Sequence, residues 1–152
     1  MLPTPKKFKI VAASAEGDYP LSAFDHALLK AGIGNVNLLR ISSILPPGAV
    51  QDQDMLIPPG SLVPTAYAKI DCEQSGTLIS AAVGIGFSKD TFGVIMEYSG
   101  KCGREQAEEQ VKGMLKEAFA NRDLKLQKTL VLGVEHRVQK AGACIAAVIL
   151  WY

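Results

Sequence analysis

Apolar positions along this chain fall into short blocks whose spacing changes from strand-like to helix-like and back. Phe8 to Ser14 reads as a strand. In "PLSAFDHALLKAG", Leu21, Phe24, Leu28 and Ala31 recur at helical spacing, and Gly32 is placed to end the helix. Val36, Leu38, Leu39 and Ile41 suit a half-buried strand running from Asn37 to about Ser42, which Pro46-Pro47-Gly48 stops. A loop rich in Pro, Gly and Asp covers Leu45 to Gly60, and two strand-like runs follow, Leu62 to Cys72 and Thr77 to Phe87. The second half begins with a continuous apolar strand, Phe92 to Tyr98. An amphipathic helix from Arg104 to Asn121 carries Ala107, Val111, Met114, Leu115, Ala118 and Phe119 on one stripe. Leu126 to Val138 and Ala143 to Trp151 complete it as strands.

Each half therefore runs strand, helix, strand, strand, with an extra hairpin element in the first. One helix per several strands argues against a doubly wound parallel sheet and for an α+β layered sandwich with the helices outside. The element order suits an internal duplication. At 152 residues the chain is a single domain, 1–152, with room for a substantial core.

Composition narrows the function classes. The net charge is +1 and no basic cluster exceeds Lys6-Lys7, so nucleic acid and anionic membrane surfaces are not expected partners. The run from Ile10 to Ala13 is too short for a signal peptide, and no stretch approaches a membrane span. Cys72, Cys102 and Cys144 are an odd count without metal-ligand spacing; they read as small buried residues in a reducing cytoplasm. The apolar tail "CIAAVILWY" hints at surface buried between subunits.

Several residues are candidates for chemistry. "AGIGN" contains Gly-x-Gly but follows a helix and precedes a strand, the reverse of the dinucleotide fingerprint, and reads as a helix end with a tight turn. His26 and His136 have no third ligand at useful spacing, so no metal site is expected, and His136 beside Glu135 reads as a satisfied strand histidine. Glu97 interrupts the apolar strand "FGVIMEYSG". If buried, its carboxyl is costly to ionise and is held protonated, as a general acid requires; at an exposed strand end it carries no such meaning. Asp25, with Leu21, Leu28 and Leu29 at helical-neighbour positions, is expected to be half-buried and able to hold a guanidinium in a bidentate pair, or else to be structural.

Ser42 and Ser43 sit side by side at a strand end, a common place for serine. A strained Ser-Ser bond also has chemistry of its own. The second hydroxyl attacks the preceding carbonyl to give an ester, and β-elimination cuts the chain. Residue 43 is left as dehydroalanine, which hydrolyses to a pyruvoyl group. Asn37, upstream in the chain, offers an amide N–H to the oxyanion of that attack.

The stretches "PLSAFDHALLKAGIGNVNLLRISSILPPGA", "LVPTAYA", "GVIMEYSGKC", "VEH" and "ILWY" together resemble the pyruvoyl-dependent arginine decarboxylases, from about Ser14 to Tyr152. The resemblance implies a four-layer αββα sandwich assembled as a trimer, with active sites between neighbouring subunits. It makes Ser43 the precursor of the pyruvoyl group and Ser42 the new carboxyl end of a short chain, 1–42, beside a long chain, 43–152. It also implies that Asn37 supports self-cleavage, Glu97 donates a proton, and Asp25 binds the substrate guanidinium. Gly34, Val36 and Ile44 are expected to wall the pocket. The loop Val50 to Ile57 has no close counterpart and receives no role.

The implied reaction converts L-arginine to agmatine and carbon dioxide through a Schiff base to the pyruvoyl ketone, without a metal or pyridoxal phosphate. Besides an α+β domain without activity, two alternatives stand beside it. One is a pyruvoyl enzyme for another amino acid such as histidine, against which a carboxylate at Asp25 favours a long cationic side chain. The other is an uncleaved structural or ligand-binding oligomer.

Overall fold

A computed structural model describes residues 1–152. The elements in chain order are β1 (Lys7–Gly17), α1 (Pro20–Lys30), β2 (Asn37–Arg40), β3 (Ile44–Leu45), β4 (Val50–Gln51), β5 (Leu62–Cys72), β6 (Leu78–Phe87), β7 (Gly93–Gly100), α2 (Arg104–Asn121), β8 (Lys128–Arg137) and β9 (Ala141–Trp151). They form one sheet in the order β2-β5-β9-β1-β4 and a second in the order β3-β7-β6-β8. Three apolar clusters define the layers: one between the sheets, one between α1 and the five-stranded sheet, and one between α2 and the four-stranded sheet. The architecture is therefore the expected α+β sandwich, helix–sheet–sheet–helix.

The sheets do not correspond to the two halves of the sequence. β6, from the first half, is central in the four-stranded sheet, and β9, from the second, is the middle strand of the other. That placement corrects the reading of the apolar tail. β9 is buried along almost its whole length because it is covered on one face by the other sheet and on the other by α1. A strand covered on both faces reads as a continuous apolar run without any subunit contact.

α2 buries the stripe expected of it, including Ala107, Val111, Leu115 and Phe119. Its close seat depends on glycines in β6: a Cβ at Gly84 would lie 2.6 Å from a Val111 methyl, and one at Gly86 2.6 Å from the Phe119 ring. In α1 the buried residues are instead Ala23 and Ala27. Small side chains let this helix lie close on β1 and β9, and the rotation that buries them turns Leu21 outward to 76 % exposure and Leu29 to 48 %. The helix stops at Ala31, and Gly32 takes the left-handed backbone (φ +79°) that follows a helix end.

The strand from Asn37 ends at Arg40, short of Ser42, and the long loop contains two short strands. β4 pairs with β1 in parallel, and Gln53 continues that edge: its amide accepts from Ile10 N–H and donates to Ile10 C=O, both at 2.9 Å. Met55 in the same loop is buried against the α1 layer. The loop 50–57, which sequence left without a role, thus closes the open edge of the five-stranded sheet. His136 is satisfied as expected, its Nε2 2.5 Å from Glu16 Oε2. Burial alone would raise the Glu16 pKa. The backbone N–H of Lys140, the His136 side chain and the Gln139 N–H outweigh it, and the carboxyl is held below its ordinary value.

Candidate active site

β2 lies at one edge of the five-stranded sheet and β3 at one edge of the other, and the chain crosses between the two sheets from Ile41 to Ser43. Ile41 N–H makes the last bond to the first sheet, to Thr65 C=O at 3.1 Å. The Ser43 carbonyl makes the first bond to the second, accepting from Ile95 N–H at 2.7 Å. Ile44 and Leu45 then pair with Val94 and Gly93 of β7. No backbone hydrogen bond engages the Ser42 carbonyl or the Ser43 N–H. The peptide between the serines is therefore held on both sides but not itself, a geometry that leaves its carbonyl open to attack.

Glu97 stands two residues beyond Ile95 on β7, so strand alternation turns it to the same face, toward the space between the sheets where Ile95 is buried. Its side chain is half-buried, and Oε2 is buried without a hydrogen-bond partner. Burial pushes its pKa up, against an opposing pull from the Arg40 guanidinium. A carboxyl in this setting keeps its proton to higher pH than an exposed one and has a proton to give. Glu97 is thus half-buried, with one carboxyl oxygen enclosed, and does not stand at an exposed strand end.

Ser42, Ser43, Ile44 and Glu97 are brought together at this edge. Ser42 and Ile44 line a groove of about 290 Å³ whose other walls include Ile41, Pro64, Leu150 and Tyr152. The remaining expected residues lie elsewhere on the same chain. Gly34 and Val36 line a separate cavity of about 250 Å³ with Leu29, Met55 and Ile57. Only glycine fits at position 34, because a Cβ there would meet the Leu29 side chain at 2.5 Å. Asn37 begins β2, and its Nδ2 donates to Gly60 C=O at 3.1 Å. Ser42 stands five positions further along the chain, about 16 Å on at the usual rise per residue of a strand.

Asp25 is fully on the surface, which corrects the expectation that its leucine neighbours half-bury it. It borders an apolar groove of about 570 Å³ formed by Tyr19, Leu21, Phe24 and Leu28. α1 lies on the outer face of the five-stranded sheet, so that sheet stands between Asp25 and Glu97. Two features of the site were not found by reading the sequence: the Ile95 N–H, invisible because it is backbone, and Arg40, whose relation to Glu97 depends on how two sheets stack.

The family model described as "Pyruvoyl-dependent arginine decarboxylase (PvlArgDC)" matches residues 7–152. A protein of that name from Methanocaldococcus jannaschii is 49 % identical over 150 residues, covering 97 % of this chain and 91 % of the relative. Others so named, from Pyrococcus furiosus and Thermococcus kodakarensis, are 47 % and 46 % identical, each covering 97 % of this chain and 96 % of the relative. With the crossing serines, the buried acid and a match from Lys7 to the last residue, the chain belongs to the pyruvoyl-dependent arginine decarboxylase family.

Proposed function

We propose that this protein cuts its own chain between Ser42 and Ser43 and uses the resulting pyruvoyl group to decarboxylate L-arginine to agmatine. The observation that carries the proposal is the unpartnered, buried Glu97 oxygen on the strand whose neighbouring N–H holds the Ser43 carbonyl. In the cut, Ser43 Oγ adds to the Ser42 carbonyl carbon, the C–N bond breaks, and an ester replaces the amide. Loss of the Ser43 α-proton then expels the Ser42 carboxylate. The enamine left at residue 43 takes up water and releases ammonia, leaving the ketone.

The protein is arranged to survive the cut. Residues 1–42 supply β1, α1 and β2, and β1 is inserted between β9 and β4 of the longer piece, in register with β9 from Lys7–Trp151 to Gly17–Ala141. Both pieces keep their sheet contacts, so the crossing segment can part without unfolding the sandwich.

When formed, the pyruvoyl group supplies an electrophilic carbonyl for the substrate amine and an electron sink as carbon dioxide leaves. The chain's own residues do the rest. Ile95 N–H steadies the residue 43 carbonyl oxygen, into which charge is drawn. Glu97 holds a proton in a desolvated position and returns it to the substrate carbon. Asp25 supplies the negative charge for the guanidinium.

Because Asp25 and Asn37 are remote from Ser43 and Glu97 within one chain, the complete site is assigned to the junction between protomers of a trimer. The outward-facing Tyr19, Leu21 and Leu29 favour such an assembly, since each large apolar side chain buried contributes about 1.5–3 kcal/mol. Asp25→Asn is expected to lower arginine turnover at least tenfold while cleavage stays near normal; unchanged arginine kinetics would move the recognition site elsewhere. Mixing Asp25→Asn chains with Glu97→Gln chains before assembly is expected to restore activity to about a quarter of the sites, which unite two intact contributions from different subunits. No recovery on mixing would place each site within one chain. No helix is long and apolar enough to cross a membrane, and the three cysteines are free, which suits the cytoplasm.

Trapping tests the electrophile. Arginine plus borohydride is expected to inactivate the protein and to add substrate or product mass to the 43–152 fragment alone. A fragment that gains no mass under turnover conditions would overturn the pyruvoyl reading.

A further inference from the structure

A cut between Ser42 and Ser43 removes the covalent tie between α1, which carries Asp25, and the longer piece. The corner between β1 and α1 is gripped by one carboxylate of the short piece. Glu16 Oε1 accepts from Lys140 N–H at 2.8 Å, and Oε2 accepts from Gln139 N–H at 3.3 Å and from His136 Nε2 at 2.5 Å. All three donors belong to residues 43–152, at the end of β8 and in the turn into β9. The Glu16 and His136 side chains are only 25 % and 18 % exposed, so water competes poorly for these bonds. Lys140 Nζ also reaches Asp18 Oδ1 at 3.1 Å, an exposed pair that adds little.

The grip is passed on to the helix. His26, the neighbour of Asp25, donates from Nδ1 to Glu16 C=O at 3.1 Å. One residue thus holds the long piece by its side chain and α1 by its backbone. The corner is built closely around it. A Cβ at Gly17 would lie 2.6 Å from Ala23 N, and one at Gly142 would lie 2.7 Å from Glu16 Oε2 and 2.8 Å from His136 Cδ2. The side chains that α1 buries, Ala23 and Ala27, offer little to lock the helix along its axis. Directional bonds to a carboxylate do.

We propose that Glu16 is a positioning residue for the substrate: by gripping the β8–β9 turn it fixes α1 on the cut sandwich, and through His26 it fixes the place of Asp25. The proposal rests on the readings of self-cleavage and of Asp25 as the partner of the guanidinium.

Hydrogen exchange in the full-length processed protein follows the grip without reference to activity. Glu16→Gln keeps the shape but turns an amide N–H2 toward three donors. It is expected to speed exchange of the α1 amides about tenfold and to leave those of α2 unchanged. His136→Gln keeps a donor for Glu16 and is expected to retain most of the protection, whereas His136→Phe, without one, is expected to lose it. This pair decides the matter should Glu16→Gln fail to assemble. In arginine turnover Glu16→Gln is expected to raise KM severalfold with kcat held, because Asp25 is displaced while Ser43 and Glu97 are untouched. In an Asp25→Asn background the same change is expected to raise KM no further, since the grip acts through Asp25. Unchanged α1 exchange in Glu16→Gln, or a KM effect that adds in full to that of Asp25→Asn, would overturn the proposal. Failure of the readings beneath it would show separately: an uncut chain by intact mass for self-cleavage, or unchanged kinetics in Asp25→Asn alone for the guanidinium. The exchange comparison decides the grip in either case.

Discussion

Ser43→Ala is expected to remain one uncut chain of 152 residues and to show no decarboxylation above background. Alanine keeps the backbone that Ile95 N–H holds and the entry into β3, so the crossing segment and the sandwich are preserved. What is lost is the only oxygen that can attack the Ser42 carbonyl from the next residue. Without that attack there is no ester, no elimination and no electrophile. A hydroxyl as little constrained as this one contributes at most about 1 kcal/mol to stability, so thermal unfolding is expected to change little. Ser42→Ala provides the contrast. Ser42 contributes its carbonyl and not its hydroxyl, so this variant is expected to cut and to turn over arginine. Gel analysis of the two variants beside the wild type checks the assignment. Cleavage of Ser43→Ala between positions 42 and 43 would exclude the acyl shift.

Glu97→Gln separates the making of the electrophile from its use. The amide has nearly the volume of the acid and can form hydrogen bonds, but it has no proton to deliver to carbon. General acid catalysis is worth ~10²–10⁴-fold, and arginine turnover is expected to fall by about that factor. Cleavage is expected to proceed, since it depends on Ser43 and on the unheld peptide before it. The pH dependence of the wild-type enzyme carries the same signature. Burial raises the Glu97 pKa above its ordinary value of 4.5, so the acid form persists to higher pH and turnover declines as pH rises through the shifted value. Carbon dioxide release from labelled arginine, measured beside a cleavage gel, decides the matter. Full activity in Glu97→Gln would return this residue to an ordinary place at a strand end.

The contrast between α2 and α1 shows where the pattern of the sequence was sufficient. α2 has one apolar stripe and one sheet to cover, and its stripe could be read directly. α1 has two apolar surfaces, alanines and leucines, and periodicity cannot say which faces inward. The alanines do, because close approach to β1 and β9 requires small side chains. The tail β9 misled for a related reason: a strand buried by its own sandwich and one buried by a neighbour have the same composition.

At the site, Glu97 stood out because it interrupts an apolar strand, while the serine pair, at a common place for serine, gained its meaning from the motif around it; all three lie at the junction of the sheets. Asp25 and Asn37 were candidates from their own chemistry and gained definite roles from the resemblance, and a single chain holds them apart from that junction. Sequence order carries no information about which protomer completes a site. The Ile95 N–H was hidden for a different cause, since its relation to the serines arises only when the segment after β2 crosses to β7 of the other sheet.

Intact mass of the purified, unmodified protein under denaturing conditions tests self-cleavage most directly. Two species are expected. One corresponds to residues 1–42 with an ordinary carboxyl end. The other corresponds to residues 43–152 with its first residue converted from serine to pyruvoyl. A single species with the mass of the full 152-residue chain, persisting after prolonged warm incubation, would contradict cleavage at Ser42–Ser43 and with it the origin assigned to the electrophile.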